Sequence, residues 1–382
     1  MKVTVIGGRL QGIEATYLAH KAQWEVILVD KDPDAPARTI CDTFLNMDVT
    51  DNIPQISDAI KEADLIIPAA ENPHILRSLH ETAKSSGVPL AYDRDAYSIS
   101  SSKIKSNILF KKIGISIPKE WPGCELPLIF KPSCSSGSRG AKKINCIKEL
   151  EKVTNTFGYS PCDAVIQEFI TGPIYSIEVF GFQDHYCTGQ ITKIETDNSF
   201  DCKRVLAPAD LSDEQINNFE ECSLRIAKVL KLKGIMDVEA ILHENQFKVI
   251  EIDARLPSQT PTAVYHSTGI NYLKVLCDIF CKKITPEIPS RSHENAVIYE
   301  HVRVSSGELA ILGEHILSDA GALTLTTDFF GADEALTNYR PGIADWVATL
   351  IIKESTKEAL WKKHTHVIGS IKKGIKLKSK II

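Results

Sequence analysis

About two-thirds of the way along the chain, Glu251-Ile-Asp253-Ala-Arg255 sets two carboxylates and a guanidinium at alternating positions. Strand side chains alternate faces at a rise of ~3.3 Å, so Glu251 and Asp253 share one face, roughly 6.6 Å apart. Ile235–Leu242 and Gln246–Asp253, joined by His243-Glu244-Asn245, predict a hairpin. A turn centred on Asn245 sets Glu239 opposite Glu251 and Asp237 opposite Asp253. A sheet face with three or four carboxylates repels itself unless cations sit on it. Oxygen-only ligation at Glu239, Glu251 and Asp253 suits Mg²⁺, which commonly bridges one or two carboxylates to substrate phosphates. Arg255 places an anion clamp beside that site. An exposed hairpin with acids on its wet face would carry the same residues, so other elements must decide.

Upstream, Ile129-Phe130-Lys131-Pro132 reads as a strand that delivers a lysine to a small-residue loop, Ser133-Cys134-Ser135-Ser136-Gly137-Ser138-Arg139-Gly140. Gly137 and Gly140 let backbone N–H groups converge on an anion, and Ser133, Ser135, Ser136 and Ser138 add hydroxyl donors. It is not a Walker loop, since the lysine precedes the glycines and no GK[ST] follows. Lys103 opens a helix after the serine-rich stretch Tyr97–Ser102, where its ammonium can reach a phosphate across a cleft. The strand ending Gln167-Glu168-Phe169-Ile170, before Thr171-Gly172-Pro173, offers main-chain groups to the edge of a purine. A polar surface loop and solvated lysines are the plain readings of each piece alone; their order along the chain is more specific.

The elements that must position these residues follow from pattern. At 382 residues the chain exceeds one ordinary core, and two or three domains are expected. Residues 1–95 alternate short apolar runs with helical patterns, as in a helix-covered parallel sheet. Its turn Gly7-Gly8-Arg9-Leu10-Gln11-Gly12, with Asp30 ending the second strand, reads GGxxxG rather than GxGxxG. A nicotinamide site there would leave the acidic hairpin and the Lys131 loop unexplained. The last ninety or so residues mix short strands (Ala296–Val304, Ala322–Asp328) with a helix around Ser355–His364. The lysines 372, 373, 376, 378 and 380 are expected to form a solvated terminus.

Hydrophobic residues at 43%, charged residues at 24% and a net charge of −5 describe a globular protein without nucleic acid or an anionic membrane as partner. No run is long enough to span a bilayer. Ten cysteines without a CxxC pair read as reduced core thiols, and the expected location is the cytoplasm.

The order Lys103, Lys131, glycine loop, hinge, Glu239, Glu251, Asp253, Arg255 resembles the ATP-grasp superfamily of carboxylate–amine ligases from about residue 1 to 290. The resemblance implies an α/β fold: an N-terminal Rossmann-like substrate domain (1–96), a central lid with the phosphate loop (97–180), and a C-terminal lobe with the metal site and an extension (181–382). It implies ATP, with Lys103 and Lys131 on its phosphates, the loop 133–140 closing over them, and the hinge through Gln167, Glu168, Phe169 and Ile170 at adenine. It also implies Mg²⁺, as two ions, on Glu239, Glu251 and Asp253, with Arg255 and Lys131 catalytic. The family usually has a glutamate just after the Gly-Pro turn; here Ile174 stands there, and Glu178 on the same strand face is the expected substitute at the ribose. Within the superfamily, KVTVIGGRLQGIEATYLA, IFKPSCSSGSRGAKKI and VIEIDARLPSQTPTAVYHSTGINYL resemble the ligases of pyrrolysine biosynthesis. That implies coupling of 3-methyl-D-ornithine to the side-chain amine of L-lysine, and commonly a homodimer. Glu71, Asp93, Glu14 and Gln11 near the N-terminal strand ends are then expected to meet the substrates' polar groups, the acids their ammonium groups. Ser258 and the turn after Arg255 are expected to take the carboxylate of lysine, and Arg255 the acylphosphate. The same active-site lysines and acids would serve a D-alanine-type dipeptide ligase or a purine-pathway carboxylase.

Overall fold

Buried apolar runs with little alternation mark strands covered on both faces, and three of the four N-terminal strands are of this kind, the edge strand Thr43–Asn46 being the exposed one. The computed structural model describes residues 1–49, 53–157, 163–289 and 294–378. Strands β1 (Lys2–Ile6), β2 (Glu25–Asp30), β3 (Thr43–Asn46) and β4 (Leu65–Pro68) form a parallel sheet of order β3-β2-β1-β4. Helices α1 (Leu10–Lys21), α2 (Ile53–Lys61) and α3 (Pro73–Ser86) connect and follow them. In the Gly7–Gly12 turn the Gly8 amide donates to Asp30 Oδ2 (2.5 Å) and the Asp32 amide to Oδ1 (2.8 Å). Asp30 therefore ties its own turn together. A Cβ on Gly12 would stand 2.1 Å from the Gly7 carbonyl oxygen, so close backbone approach requires that glycine.

The serine-rich stretch expected as a connector is largely helical. Asp93 caps α4 (Arg94–Ser100), and Ser102 caps α5 (Lys103–Lys112). Next come β5 (Leu128–Pro132), β6 (Lys142–Ile144), α6 (Ile147–Phe157) and β7 (Ala164–Glu168), a small antiparallel sheet of order β6-β5-β7. Leu150 and Val153 of α6 bury against Leu128 and Phe130 beneath it.

The third sheet among the described residues has eleven strands. It contains β8 (Ile174–Phe182), β9 (His185–Thr188), β10 (Thr192–Thr196), β11 (Cys202–Ala207), β12 (Gly234–His243) and β13 (Gln246–Asp253). Residue 180 lies inside β8. Helices α7 (Asp213–Leu230), α8 (Thr260–Thr268) and α9 (Tyr272–Cys277) accompany these strands, and α7 opens with a capping box, Ser212 and Gln215. The C-terminal residues continue the same sheet through β14 (Ala296–Ser305), β15 (Glu308–Ile311), β16 (Thr324–Phe329), β17 (Ala332–Thr337) and β18 (Trp346–Glu354). A short α10 (His315–Ser318) separates β15 from β16, and α11 (Lys357–Lys378) follows β18. Pairing of β11 with β14 makes the C-terminal region one body with the acidic hairpin.

Helix α11 runs well beyond the expected Ser355–His364, and His364 holds it to the sheet by a 2.9 Å contact with buried Glu300. Lys372 and Lys373 are exposed on it; Lys380 lies outside the described residues. The cysteines described are free thiols, and no described helix is long and apolar enough to cross a membrane.

Candidate active site

The acidic hairpin forms with the expected partners by a different local route. Glu244 (φ 49°) and Asn245 (φ 63°) make a two-residue left-handed turn closed by His243 opposite Gln246. That turn alone would pair Glu239 with Ile250. Instead Ala240 pairs Val249 and Glu239 pairs Glu251, leaving Ile250 out of the ladder as a bulge. The shift sets Glu239 opposite Glu251 and Asp237 opposite Asp253. Strand β8 extends both rows, with Ser176 beside Glu239 and Glu178 beside Asp237.

Cations of the chain face these rows. Lys103 Nζ lies 2.7 Å from Glu251 Oε1 and donates to the Ser135 carbonyl at 2.5 Å. The Arg255 guanidinium joins Asp253 (2.7 Å) and Glu71 (2.6 Å). Lys131 lines the same cleft; burial pulls its ammonium down to about 8, although Glu251 and Glu239 pull the other way. Burial, and then the neighbouring carboxylates, push Asp237 and Glu239 well above the usual carboxylate range. Burial likewise raises Asp253 despite Arg255. Oδ1 of Asp237 and Oδ1 of Asp253 are buried acceptors without a hydrogen-bond partner among the described residues. Such oxygen-only, electron-rich groups fit a hard divalent cation. No three His, Cys, Asp or Glu side chains among the described residues converge as a ready cage. The donors suit an ion that takes its remaining ligands from phosphate.

The cleft encloses about 1470 Å³, open solvent included, between the large sheet and the small one. Ser135, Ser136, Gly137 and Ser138 overhang it. The Ser136 hydroxyl donates to Glu71, and Ser138 Oγ to the Phe200 carbonyl at 2.8 Å, so the loop touches both flanking bodies. In the cleft wall beside that loop Phe169 and Phe200 lie ring to ring at 6.0 Å, with Lys143 4.2 Å from the Phe169 centroid. Glu168 is held by Lys248 at 2.7 Å and by the Lys119 amide at 2.9 Å. Lysines, an anion-cradling loop, paired acids and an aromatic slot in one cleft can take a nucleoside triphosphate and stabilise phosphoryl transfer.

Residues 100–259 match the family model described as "ATP-grasp domain", and residues 3–91 that described as "PylC-like, N-terminal domain". The 3-methyl-D-ornithine--L-lysine ligase of Methanosarcina acetivorans is 38% identical over 83% of this chain and 84% of its own. The chain belongs to the PylC-like ATP-grasp ligases. Its fold also resembles the ADP complex of N5-carboxyaminoimidazole ribonucleotide synthetase (TM-score 0.70, 13% identity, 96% of each chain). The biotin carboxylase domain of Hydrogenobacter thermophilus 2-oxoglutarate carboxylase, crystallised with MgADP, gives TM-score 0.70 at 14% identity, over 92% of this chain and 86% of that one.

Of the residues expected in the ATP-grasp cleft, Lys103, Lys131, Ser135, Ser136, Gly137, Ser138, Glu168, Phe169, Ile170, Glu239, Glu251, Asp253, Arg255 and Ser258 do line it. Glu71 and Gln11 reach its edge through Arg255 and each other, Gln11 Nε2 to Glu71 at 3.2 Å. Six others sit elsewhere. Glu178 faces the same side of β8 as Ile174 but is fully buried, its carboxylate taken by the Thr260 hydroxyl at the start of α8. It cannot meet a ribose without unfolding that contact; Ile174 remains in the cleft wall. Gln167 points away and donates to the Pro118 carbonyl at 3.3 Å. Ser133 Oγ sits at the N-terminus of α5, with Ser102 Oγ at 3.0 Å and the Ile104 amide at 3.3 Å. Gly140 (φ +78°) packs on Pro132 and serves the turn. Glu14 is buried and accepts the Thr262 amide of α8 at 2.6 Å. Asp93 accepts the Asp95 and Ala96 amides and, at 2.7 Å, that of Lys233. Glu14 and Asp93 thus bind backbone N–H groups, and neither lines the cleft.

Asp237, Phe200, Asp201 and Glu314 line the cleft without having been assigned a role. Asp237 was visible as the partner of Asp253. The other three come from loops whose sequences carry no periodic signal.

Proposed function

We propose that this chain activates the carboxylate of 3-methyl-D-ornithine with ATP and couples it to the ε-amine of L-lysine, releasing ADP and phosphate, as a cytoplasmic step of pyrrolysine biosynthesis. The observation that carries the substrates is the 38% identity with a 3-methyl-D-ornithine--L-lysine ligase along most of both chains. The cleft supplies the chemistry. A carboxylate oxygen of the donor attacks the γ-phosphorus, the bond to the β-phosphate oxygen breaks, and an acylphosphate forms. The amine then attacks the acyl carbon, loses a proton, and expels phosphate.

Little covalent work falls to the protein; positioning and charge neutralisation dominate. Lys103 and Lys131 offset phosphate charge, and Arg255 holds the oxygens of the acylphosphate as the tetrahedral carbon develops. The loop 133–140 shields that acylphosphate from water. Glu239, Glu251 and Asp253, with Asp237 behind them, would hold magnesium, which when bound neutralises phosphate oxygens; four carboxylates favour two ions over one. The adenine reads main-chain groups at 168–170 beside Phe169 and Phe200. The proposed assembly is a homodimer.

The test is incubation of purified protein with Mg-ATP, L-lysine and D-ornithine or 3-methyl-D-ornithine, following ADP, phosphate and product mass. An amide through the lysine ε-nitrogen, formed only with both amino acids, is the expected result. ADP release without lysine and without amide would keep the acylphosphate chemistry and discard the acceptor.

A further inference from the structure

The carboxylates lining the cleft can be sorted by what neutralises them. Glu251 is closed on Lys103, Asp253 on Arg255, Glu168 on Lys248, and Asp201 on His315 Nδ1 at 2.5 Å. Asp237 and Glu239 belong to the acidic rows assigned to magnesium. Glu314 fits neither group. It is 8% exposed, lines the cleft, and makes no ion pair among the described residues. Its partners there are neutral: Ser258 Oγ donates to Oε2 at 3.0 Å, and the Gln259 side-chain amide is a second donor. The neighbouring His315 is closed on Asp201 and acts on Glu314 only through space. A carboxylate withdrawn from water is thus left without an ion pair of its own, which is costly, and a ligand cation removes that cost.

The surrounding structure holds Glu314 in place. Its own amide donates to the Cys202 carbonyl at 3.0 Å. The flanking amides of Gly313 and His315 donate to Asp197 and Asp201, each at 3.0 Å. A Cβ on Gly313 would fall 2.0 Å from Asp201 Oδ2, so the loop admits no side chain there. On the facing turn, Gln259 takes a left-handed backbone (φ 74°), and its Oε1 meets His301 Nε2 at 3.1 Å. The other His301 nitrogen lies 2.9 Å from Thr349 Oγ1. Residues 301, 314 and 349 lie beyond the matched ATP-grasp segment, so the C-terminal strands build this wall of the cleft.

We propose that Glu314 receives the α-ammonium of the amino acid whose carboxylate is activated, with Ser258 and Gln259 orienting its carboxylate. The assignment rests on the ligase reading above. The α-ammonium is carried on the carbon next to the reacting carboxyl, and Ser258 lies three residues beyond Arg255, which is assigned to the acylphosphate. Ligand and protein then neutralise each other where the described residues give Glu314 no ion pair.

The experiment compares wild type, Glu314→Gln and Glu314→Asp by steady-state kinetics and by calorimetric binding. The probes are D-ornithine and δ-aminovalerate, which is ornithine without its α-amine. Glu314→Gln is expected to raise the KM and the dissociation constant for D-ornithine about tenfold or more, leave KM for ATP and lysine within about twofold, and erase the wild-type preference for D-ornithine over δ-aminovalerate. Glu314→Asp should restore part of that preference, which a merely structural role would not do. Unchanged D-ornithine binding, an unchanged preference, or a rise in KM for lysine alone would overturn the assignment. A wild-type protein that binds D-ornithine through Glu314 yet forms no amide would refute the coupling reaction and leave the inference standing. Amide formation undiminished in Glu314→Gln, at the same D-ornithine KM, would refute the inference alone.

Discussion

Glu239 stands opposite Glu251 because Ile250 is left out of the ladder between β12 and β13. Without that bulge the two-residue turn would set Glu239 against Ile250, and the strand's carboxylates would face away from those of its partner. The electrostatic cost of two acidic rows in a buried cleft is thus a consequence of one unpaired residue.

If those rows hold magnesium, Glu251→Gln should abolish turnover or raise the magnesium concentration needed for half-maximal rate by at least ~10-fold. Asp237→Asn should act in the same direction more weakly. Asp237→Asn should melt no lower than wild type, because it removes a like-charge contact, whereas Glu251→Gln also gives up the ion pair with Lys103 and should keep the fold with a small loss at most. A magnesium titration beside a thermal melt checks this; unchanged metal dependence would take the hairpin out of the metal site.

Arg255 meets Asp253 and Glu71 through the same nitrogen, Nη2, while Nη1 donates to the Leu256 carbonyl at 3.3 Å, so the planar guanidinium serves three acceptors at once. A lysine ammonium is a point charge that cannot reproduce that planar set of donors. Arg255→Lys should lower kcat on the order of 10²-fold while changing the ATP dissociation constant only a few-fold. Equal losses in both would move Arg255 from the reacting carboxyl to the nucleotide.

Lys131 should impose a pH dependence on nucleotide binding. Burial places its folded-state pKa at about 8, below the usual lysine value. Below that pH the ammonium is charged and attracts phosphate; as pH rises through about 8 the charge is lost and free-enzyme affinity for ATP should fall. Lys131→Arg should flatten the profile, and Lys131→Ala should weaken ATP binding and activity together at every pH. Titration of ATP binding between neutral and strongly basic pH decides it.

Glu14 offers a stability test far from the chemistry. Burial raises its carboxyl to about 7. The folded state therefore holds a proton that the unfolded chain releases near its ordinary value of 4.5. Its contribution is fully present below that value and is lost as pH rises through about 7. The deficit is bounded by roughly 3 kcal/mol at about 1.4 kcal/mol per pKa unit. Glu14→Gln, which can still accept the Thr262 amide, should raise the melting temperature at pH 8 relative to wild type and leave catalysis intact. Loss of activity without loss of stability would return Glu14 to the substrate pocket.

Residue type and order along the chain were enough to find most of the polar residues that line the cleft. Lys103, Lys131, the serine-glycine loop, Glu239, Glu251, Asp253 and Arg255 sit on strands, caps and turns whose periods are local. A period of two, a helix cap or a left-handed turn is decided within a few residues, so it can be read from them. The hairpin partners were reached through a turn centred on Asn245, whereas the chain uses a tighter turn and a bulge; the offsets cancel. Tertiary packing decided which polar groups face the cleft. Glu14, Asp93, Glu178, Gln167 and Ser133 have suitable chemistry, yet each meets a backbone or hydroxyl partner that alternation does not reveal. Asp201 and Glu314 reach the cleft because β11 pairs with β14, nearly a hundred residues on, and carries the loop before α10 to Ser258. Buried charges choose their partners by proximity in the folded chain, and that proximity exists only once the sheet has closed.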